Sequence, residues 1–372
     1  MGVSHPAAVR RCTAYIEFLE RDPVHLRSGC LSKKENEPAG GYEGMKDGFG
    51  REIDHLRISL TDKCDLRCSY CMPEEGIRHL DHRDILTLEE TARIAGIMSG
   101  LGIRRVRLTG GEPLVRRGAA GLVAILRREY GFDEIAMTSN GQLLSENAVK
   151  LRDAGLTDIN ISLDTLREDC FEKITRCEGS RLKRTLNGID EALRSGLKVK
   201  LNSVLIKDLN EEDLIPLVEY AGSKKTDIRF IELMPIGCAT HHSGITTSRL
   251  IERLEERYGR SYPADTPTEL YRRGPARYYG FGERPGRIGF ISPLSHRFCD
   301  SCRRVRLTAE GFLKLCLQYP DGVDLRSPLR GGASDEEISA IILDAVKHKK
   351  ASHSFDSPCM TTDRRRMVQI GG

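Results

Sequence analysis

A sixfold alternation of short β-branched runs with amphipathic stretches restricts the fold of this chain most strongly. The predicted strands are Leu56–Leu60, Arg104–Thr109, Glu134–Ser139, Asp158–Leu163, Val199–Leu205 and Asp227–Leu233. The predicted helices between them are Thr87–Gly100, Gly118–Tyr130, Glu146–Asp153, Arg181–Ser195 and Glu211–Ala221. Repeated strand–helix units are typical of a parallel sheet with crossover helices. An open doubly wound sheet and an incomplete barrel both fit this order.

Polar residues gather where the predicted strands end. They lie at Thr109–Glu112, Thr138–Asn140, Ser162–Asp164, Asn202 and Glu232–Met234. In barrels and in open α/β sheets this edge carries the chemistry. We favour an α/β fold whose core is an incomplete (β/α)6 barrel of the TIM type.

The chain divides into three predicted regions. Residues 1–48 are expected to be an N-terminal extension with little order, and the barrel is expected over 49–245. The C-terminal region, 246–372, is expected to be α+β with short, hairpin-like runs. Within it, Val305–Thr308 and Phe312–Leu317 predict a β-hairpin, and Asp335–Lys349 predicts a final helix.

The composition excludes several classes of function. Of the 372 residues, 58 are basic and 54 acidic, a balance that gives no support for binding to nucleic acid or to an anionic membrane. No apolar run approaches the roughly 18 residues of a transmembrane helix. Twelve cysteines without a disulfide framework or a signal peptide favour a reduced cytoplasm. Six of them are scattered and have no assigned role: Cys12, Cys30, Cys170, Cys177, Cys238 and Cys359.

A first group of thiols follows the first predicted strand with the spacing Cys-x3-Cys-x2-Cys. It comprises Cys64, Cys68 and Cys71. Three thiolates would leave the fourth iron of a [4Fe–4S] cube open to a substrate or cofactor. Zinc would take four ligands, with His55 and His79 as the nearest histidines, and a redox dithiol would need only the last two cysteines. The cluster is the interpretation that uses all three thiols.

A second group has three thiols and no obvious fourth ligand. It comprises Cys299, Cys302 and Cys316. Structural zinc with His296 as the fourth ligand is an alternative here, although two incomplete groups favour two clusters. Arg304 and Arg306 lie on one face of a predicted strand between these cysteines. They could hold a phosphate or a nucleobase, or form a solvated charged surface.

The first cysteine run, with an aromatic residue before its last cysteine, resembles the radical S-adenosylmethionine (AdoMet) superfamily. The run Gly110-Gly-Glu-Pro113 resembles the second motif of that superfamily. The resemblance implies that the open iron chelates AdoMet, whose reductive cleavage gives a 5′-deoxyadenosyl radical. Gly111 would let the backbone approach AdoMet closely, and Glu112 is a candidate partner for its ammonium group.

Both cysteine groups together resemble the GTP 3′,8-cyclase family of molybdenum cofactor biosynthesis. The matching stretches are Leu56–Ser59, Val106–Pro113, Met137–Gly141, Asn160–Asp164, Lys198–Asn202, Phe230–Pro235, Arg303–Arg306 and Gly371-Gly372. By this resemblance AdoMet would be held near Tyr70, Gly111, Ser162 and Met234. GTP would be held by Arg57, Arg107, Thr138, Lys200 and the segment Arg304, Val305 and Arg306. Gly371 and Gly372 would reach into the site and support catalysis together with Arg304 and Arg306.

The same resemblance implies a lyase with two [4Fe–4S] clusters and AdoMet. The radical would remove a hydrogen from C3′ of GTP, and C3′ would then attack C8 of the guanine. The product would be (8S)-3′,8-cyclo-7,8-dihydroguanosine 5′-triphosphate, with the second cluster on the guanine base. Expected partners are GTP, a low-potential electron donor and, functionally, the cyclic pyranopterin monophosphate synthase that uses the product. The chain itself would be a monomer or a homodimer.

Two other functions are compatible with parts of the pattern. A non-catalytic iron–sulfur or zinc protein, such as an electron carrier or scaffold, would usually saturate its cluster with four protein ligands. A radical AdoMet enzyme that acts on a peptide would not need the arginines beside the second cysteine group.

Overall fold

Six parallel strands form the centre of the fold, each within two residues of its predicted bounds. They are β1 (His55–Ser59), β2 (Arg105–Thr109), β3 (Glu134–Ser139), β4 (Asp158–Ser162), β5 (Lys198–Ser203) and β6 (Asp227–Ile231). The computed structural model describes residues 44–264, 274–355, 363 and 365–371. Most of the predicted N-terminal extension, with Cys12 and Cys30, therefore lies outside the described residues. Its last residues pack on the body, where Met45 and Asp47 are buried.

Crossover helices connect these strands. They are α1 (Leu88–Gly100), α2 (Ala119–Arg128), α3 (Leu144–Ala154), α4 (Glu168–Thr175), α5 (Leu182–Arg194) and α6 (Leu214–Ser223). The predicted capping box is present, because the Thr87 hydroxyl accepts from the Glu90 amide and the Glu90 carboxylate accepts from the Thr87 amide. Helix α4 was not predicted. It has no side-chain cap, and it ends at Arg176, a residue with a φ of 53° where glycine would be expected.

The C-terminal region adds further helices and strands at both edges of the six central strands. They are α7 (Thr247–Tyr258), β7 (Ser261–Pro263), β8 (Arg277–Phe281), β9 (Ile288–Ile291), β10 (Arg304–Leu307), β11 (Phe312–Lys314), β12 (Gly322–Asp324), α8 (Arg326–Arg330), α9 (Asp335–Lys347) and α10 (Met367–Ile370). The predicted hairpin corresponds to the antiparallel pair β10–β11, and the predicted final helix corresponds to α9. The twelve-residue helix α7 was not predicted, because short, hairpin-like runs were expected directly after the barrel.

The twelve strands found in the described residues form one open sheet in the order β12-β11-β10-β1-β2-β3-β4-β5-β6-β9-β8-β7. The C-terminal region extends the barrel at both edges, because β10 pairs parallel with β1 and β9 pairs parallel with β6. The incomplete α/β barrel predicted from the sequence is thus confirmed, with an eight-stranded parallel centre. None of the helices in the described part of the chain is long and apolar enough to cross a membrane.

Each central strand presents one face to the helices and the other to the inside of the barrel. Ile58 and Leu108 face the helices and are 1% and 0% exposed. Because side chains alternate along a strand, the neighbouring Arg57 and Arg107 face the inside. The alternation therefore separates an apolar core from a charged interior.

A buried ion pair anchors the C-terminal tail to the sheet. Lys314 on β11 is 0% exposed, and its Nζ binds a carboxylate oxygen of Asp363 and, at 2.6 Å, the carbonyl of Tyr319. The Asp363 amide donates to the Gln318 carbonyl at 2.8 Å. From this anchor the tail runs through α10 to Gly371.

Gly188 of α5 packs against the backbone that follows β3. A Cβ at this position would lie 2.4 Å from the carbonyl oxygen of Gly141, which cannot yield without a shift of the helix. We expect Gly188→Ala to lower the free energy of unfolding in urea by about 2 kcal/mol. Gly100→Ala is the control, since nothing lies within 4 Å of a Cβ at the exposed end of α1. Equal losses in both variants would contradict the packing explanation.

Asp363→Asn should destabilise the protein, because it leaves the Lys314 ammonium buried without its carboxylate. We expect the free energy of unfolding to fall by about 3 kcal/mol. The double variant Lys314→Met/Asp363→Leu, which removes both charges, should recover most of the loss. A double variant as unstable as Asp363→Asn would show that the buried charge is not the cause.

The ion pair of Lys314 and Asp363 should make the stability of the fold sensitive to acid. Burial opposes ionisation of Asp363, but the hydrogen bond and charge of Lys314 hold its pKa below the ordinary value of 3.8. A lowered pKa contributes stability above the unfolded-state value, and that stability is lost as the pH falls through the folded-state value. Wild type should therefore lose more stability than the charge-free double variant between about pH 4 and pH 2. Parallel pH profiles of the two proteins would contradict this.

Candidate active site

One cavity of about 710 Å³ lies inside the barrel, lined by residues from the C-terminal ends of the parallel strands, such as Thr109, to their N-terminal ends, such as His55. Its wall contains both predicted cysteine groups and nearly all of the predicted ligand-binding residues. These are Cys64, Cys68, Cys71, Cys299, Cys302, Cys316, Tyr70, Gly111, Ser162, Met234, Arg57, Arg107, Thr138, Lys200, Arg304 and Arg306. Residues as far apart in the sequence as Arg57 and Cys316 thus meet around one space.

Val305 differs from its neighbours. Its side chain is 0% exposed and belongs to the apolar core, because alternation turns it away from Arg304 and Arg306. The predicted contact of Val305 with GTP would therefore have to be made by its backbone.

Three arginines lie side by side across neighbouring strands of the cavity wall. Arg57 on β1 is in register with Arg107 on β2 and with Arg306 on β10. Burial and the charges of Arg306 and Arg107 lower the pKa of Arg57 well below its ordinary value. Burial and neighbouring cations likewise lower the pKa values of Arg107 and Arg306 to about 10. Positive charges crowded in poorly solvated space form a site for a polyanion.

Two basic residues of the cavity wall have carboxylate partners. Arg107 lies 3.7 Å from Glu134, and Lys200 binds Asp158 at 2.5 Å. Sequence reasoning missed Arg229 on β6, which lines the same cavity and donates to Asn202 Oδ1 at 2.9 Å. The signal was present, because Arg229 occupies a middle position of a predicted strand as Arg107 does.

Backbone and side-chain hydrogen bonds hold the first cysteine loop. The amides of Cys71 and Met72 both donate to the Cys68 carbonyl, at 2.9 and 3.0 Å. Asn140 Nδ2 donates to Asp65 Oδ1 at 2.7 Å and lies 3.8 Å from the sulfur of Cys64. Asn140, at the end of β3, thereby ties this loop to the barrel.

The thiols of the first group fit an iron–sulfur cluster. Burial raises the pKa values of Cys64 and Cys71 to about 12. Such thiols ionise only when a cation coordinates them. Zinc would need four ligands around one point, whereas each thiolate on a cube binds a different iron, so three thiols are enough.

Gly111 is required by packing of the cysteine loop. A Cβ there would lie 2.3 Å from the Lys63 carbonyl oxygen and 3.0 Å from Cys64 Cβ. The described contacts thus explain this glycine by the loop itself, a reason different from the predicted approach of AdoMet. Glu112, the predicted ammonium partner, already accepts from Ser139 Oγ at 2.9 Å and from the Asn140 amide at 2.7 Å.

Tyr70 ties the cysteine loop to β4. Its hydroxyl donates to Asp164 Oδ2 at 2.7 Å, and Asp164 Oδ1 accepts from the Val204 amide at 2.8 Å. Burial raises the pKa of Asp164 to about 6, although both hydrogen bonds act in the opposite direction. The ring of Tyr70 faces the cavity between these anchors.

The second cysteine group has different charged neighbours. Burial opposes ionisation of Cys302, but Arg304 and Lys349 prevail and lower its pKa to about 6. Arg51 clamps this loop by donating to the Cys299 carbonyl at 2.9 Å. His296, the alternative zinc ligand, is exposed and does not line the cavity.

The tail ends at the mouth of the barrel. Gly371 has a φ of 85°, and its carbonyl accepts from Arg306 at 2.9 Å. A Cβ there would lie 2.6 Å from Thr109 Oγ1 and 3.1 Å from Ser59 Cβ, so glycine alone fits between the ends of β1 and β2.

Two of the residues singled out from the sequence, Gly372 and Cys359, lie outside the described residues. Of the other scattered cysteines, Cys170, Cys177 and Cys238 are free thiols.

Comparison with known proteins agrees with this arrangement. Residues 58–221 match the Radical SAM superfamily, and residues 226–355 match Molybdenum Cofactor Synthesis C. The GTP 3′,8-cyclase of Clostridium perfringens (strain 13 / Type A) is 42% identical over 328 residues, which cover 88% of this chain and 100% of the relative. The GTP 3′,8-cyclase 2 of Pseudomonas aeruginosa is 43% identical, covering 88% and 98%.

Solved structures with low sequence identity share the fold. Streptococcus suis SuiB bound to precursor peptide SuiA has a TM-score of 0.56 at 16% identity and covers 93% of this chain and 79% of its own. SuiB bound to S-adenosylmethionine has a TM-score of 0.52 at 18% identity, and this chain spans 60% of its length. Because the curated relatives align over nearly their full length at 42–43% identity, the chain belongs to the GTP 3′,8-cyclase family of the radical SAM superfamily.

Proposed function

We propose that this chain converts GTP to (8S)-3′,8-cyclo-7,8-dihydroguanosine 5′-triphosphate, the first step of molybdenum cofactor biosynthesis. The observation that carries the proposal is the row Arg57, Arg107 and Arg306 in a cavity that also contains two cysteine triads. A nucleoside triphosphate supplies the negative charge that this row lacks. The names of the relatives identify the same substrate.

Radical SAM membership implies one [4Fe–4S] cluster and AdoMet. Cys64, Cys68 and Cys71 would hold that cluster. Bound together, the cluster and AdoMet supply a 5′-deoxyadenosyl radical able to remove the hydrogen atom at C3′. Tyr70, Gly111, Ser162 and Met234 surround the space beside this loop and are the proposed AdoMet contacts.

The arginine row orients GTP by its triphosphate. Forked guanidinium groups on three adjacent strands can each take phosphate oxygens, which fixes the nucleotide at one end. Lys200 and Thr138 line the cavity on the neighbouring strands and are further GTP contacts. Fixing the triphosphate leaves the ribose and base to be placed between the two triads.

Cys299, Cys302 and Cys316 are proposed to hold a second [4Fe–4S] cluster, which binds the guanine base. Support comes from the three thiols in one wall of the cavity and from the lowered pKa of Cys302. Arg304 lies 5.0 Å from the centre of the Phe298 ring, which holds its guanidinium beside this triad.

The tail is proposed to place Arg306. Arg306 donates to the Gly371 carbonyl, and this contact directs its guanidinium towards the ends of β1 and β2. The proposed catalytic set is therefore Arg304, Arg306, Gly371 and Gly372, with Gly371 acting through Arg306. The electron donor, the downstream synthase and the oligomeric state stay predictions.

GTP deuterated at C3′ tests the proposal. Incubation under anoxic conditions with AdoMet and a chemical reductant should transfer deuterium to 5′-deoxyadenosine, detected by mass spectrometry. GTP deuterated at C4′ is the control and should transfer none. No transfer from C3′, with AdoMet cleaved, would eliminate GTP cyclisation as the function.

Cys68→Ala should abolish AdoMet cleavage, because the first cluster would lose one of its three protein ligands. Cys170→Ala, which removes a thiol away from the cavity, is the matched control and should cleave AdoMet at the wild-type rate. Cleavage by Cys68→Ala would remove the first triad from its proposed role.

A further inference from the structure

Three lysines are buried in the described part of the chain, and one of them differs from the other two. Lys200, Lys314 and Lys349 are 8%, 0% and 3% exposed. Lys200 pairs with Asp158 and Lys314 pairs with Asp363. Among the described residues, no carboxylate lies within ion-pair distance of Lys349. A buried ammonium without a counter-charge is strongly disfavoured, so its position needs an explanation.

Lys349 lies against the second cysteine triad. It follows α9 and donates from Nζ to the carbonyl of Leu315, the residue before Cys316. Lys349, Cys302 and Cys316 line the same cavity. The ammonium has three N–H groups, so two remain available after the bond to Leu315. Among groups able to carry a compensating negative charge, Cys302 and Cys316 have the largest electrostatic influence on Lys349.

The first triad provides the contrast. The charged side chains with the largest influence on Cys64 and Cys68 are other thiols and the carboxylates Glu112, Asp65 and Asp164. No lysine is among them. AdoMet is itself a cation, with a sulfonium and an ammonium group, and would bring positive charge to that triad. The substrate proposed for the second triad is an anion, so a cation there must come from the protein.

We propose that Lys349, in addition to Arg304, is a resident counter-cation of the second cluster. A cube held by three thiolates has a negative net charge, and reduction makes that charge more negative. A nearby fixed ammonium therefore favours both retention of the cluster and its reduced state. This inference rests on the proposed function only in requiring that the second triad holds a cluster.

The test measures the reduction potential of the second cluster alone. In the full chain carrying Cys64→Ser, Cys68→Ser and Cys71→Ser, the remaining paramagnetic signal on reduction belongs to the second triad. Lys349→Met should shift the ratio of oxidised to reduced cluster at least tenfold towards oxidised at a fixed potential, about 59 mV for a one-electron couple. Lys349→Arg keeps the charge and should retain most of the wild-type potential.

Lys350→Met is the matched control. Lys350 is the next residue, with a side chain 57% exposed and its Nζ 3.8 Å from Asp321. The variant Lys350→Met should leave the reduction potential of the second cluster unchanged. If Lys349→Met has the same potential as Lys350→Met, or if Lys349→Arg lowers it as much as Lys349→Met, the counter-cation role is overturned.

Iron content separates the remaining outcomes. If the serine background binds no iron, the second cluster itself is absent and that part of the proposed function fails. If Lys349→Met folds, by circular dichroism, but loses iron that Lys349→Arg keeps, the retention role is supported. If Lys349→Met and Lys349→Arg lose iron equally, retention of the cluster depends on the shape of the lysine side chain and not on its charge, and the counter-cation role is overturned.

Discussion

Parallel pairing on both sides of β1 concentrates positive charge inside this barrel. The backbone ladder puts Arg57 between Arg107 and Arg306, and strand alternation points all three guanidinium groups inward. Their mutual repulsion is a cost that the empty protein carries. The apolar face of the same strands offsets it, because Leu56, Ile58 and Leu108 are buried under the helices. The fold thus maintains a site that favours polyanions over neutral or cationic molecules.

The two cysteine triads use the same ligand type in opposite electrostatic surroundings. Burial and neighbouring carboxylates raise the pKa values of Cys64 and Cys68 in the first triad. Cations surround the second triad and lower the pKa of Cys302. The two clusters would therefore lie in different electrostatic environments. Clusters held by the same three-thiolate ligand set can thus serve two different tasks in one cavity.

The sequence was informative where the signal is local. Alternation and caps placed β1 to β6 within two residues, and the cysteine spacing located both triads. The parallel pairing of β10 with β1 was not foreseeable, because a four-residue strand with two arginines gives no indication of a partner distant in the sequence. Helix α7 was missed because half of its residues are charged and its apolar face is narrow. The packing reason for Gly111 also depends on a contact with Lys63, which spacing alone does not encode.

The pairing of β10 with β1 has a consequence for the order in which the protein matures. It joins Arg304 to His55 across most of the chain, so loop closure makes it entropically late. Most hydrogen bonds that hold the loop of the first triad come from residues nearer in the sequence, such as Asn140, Asp164 and Ile174. The second triad also needs β10 and the clamp from Arg51 to Cys299, which joins residues 248 positions apart in the sequence. During synthesis on the ribosome, the first metal-binding loop can therefore form while the second still awaits its scaffold.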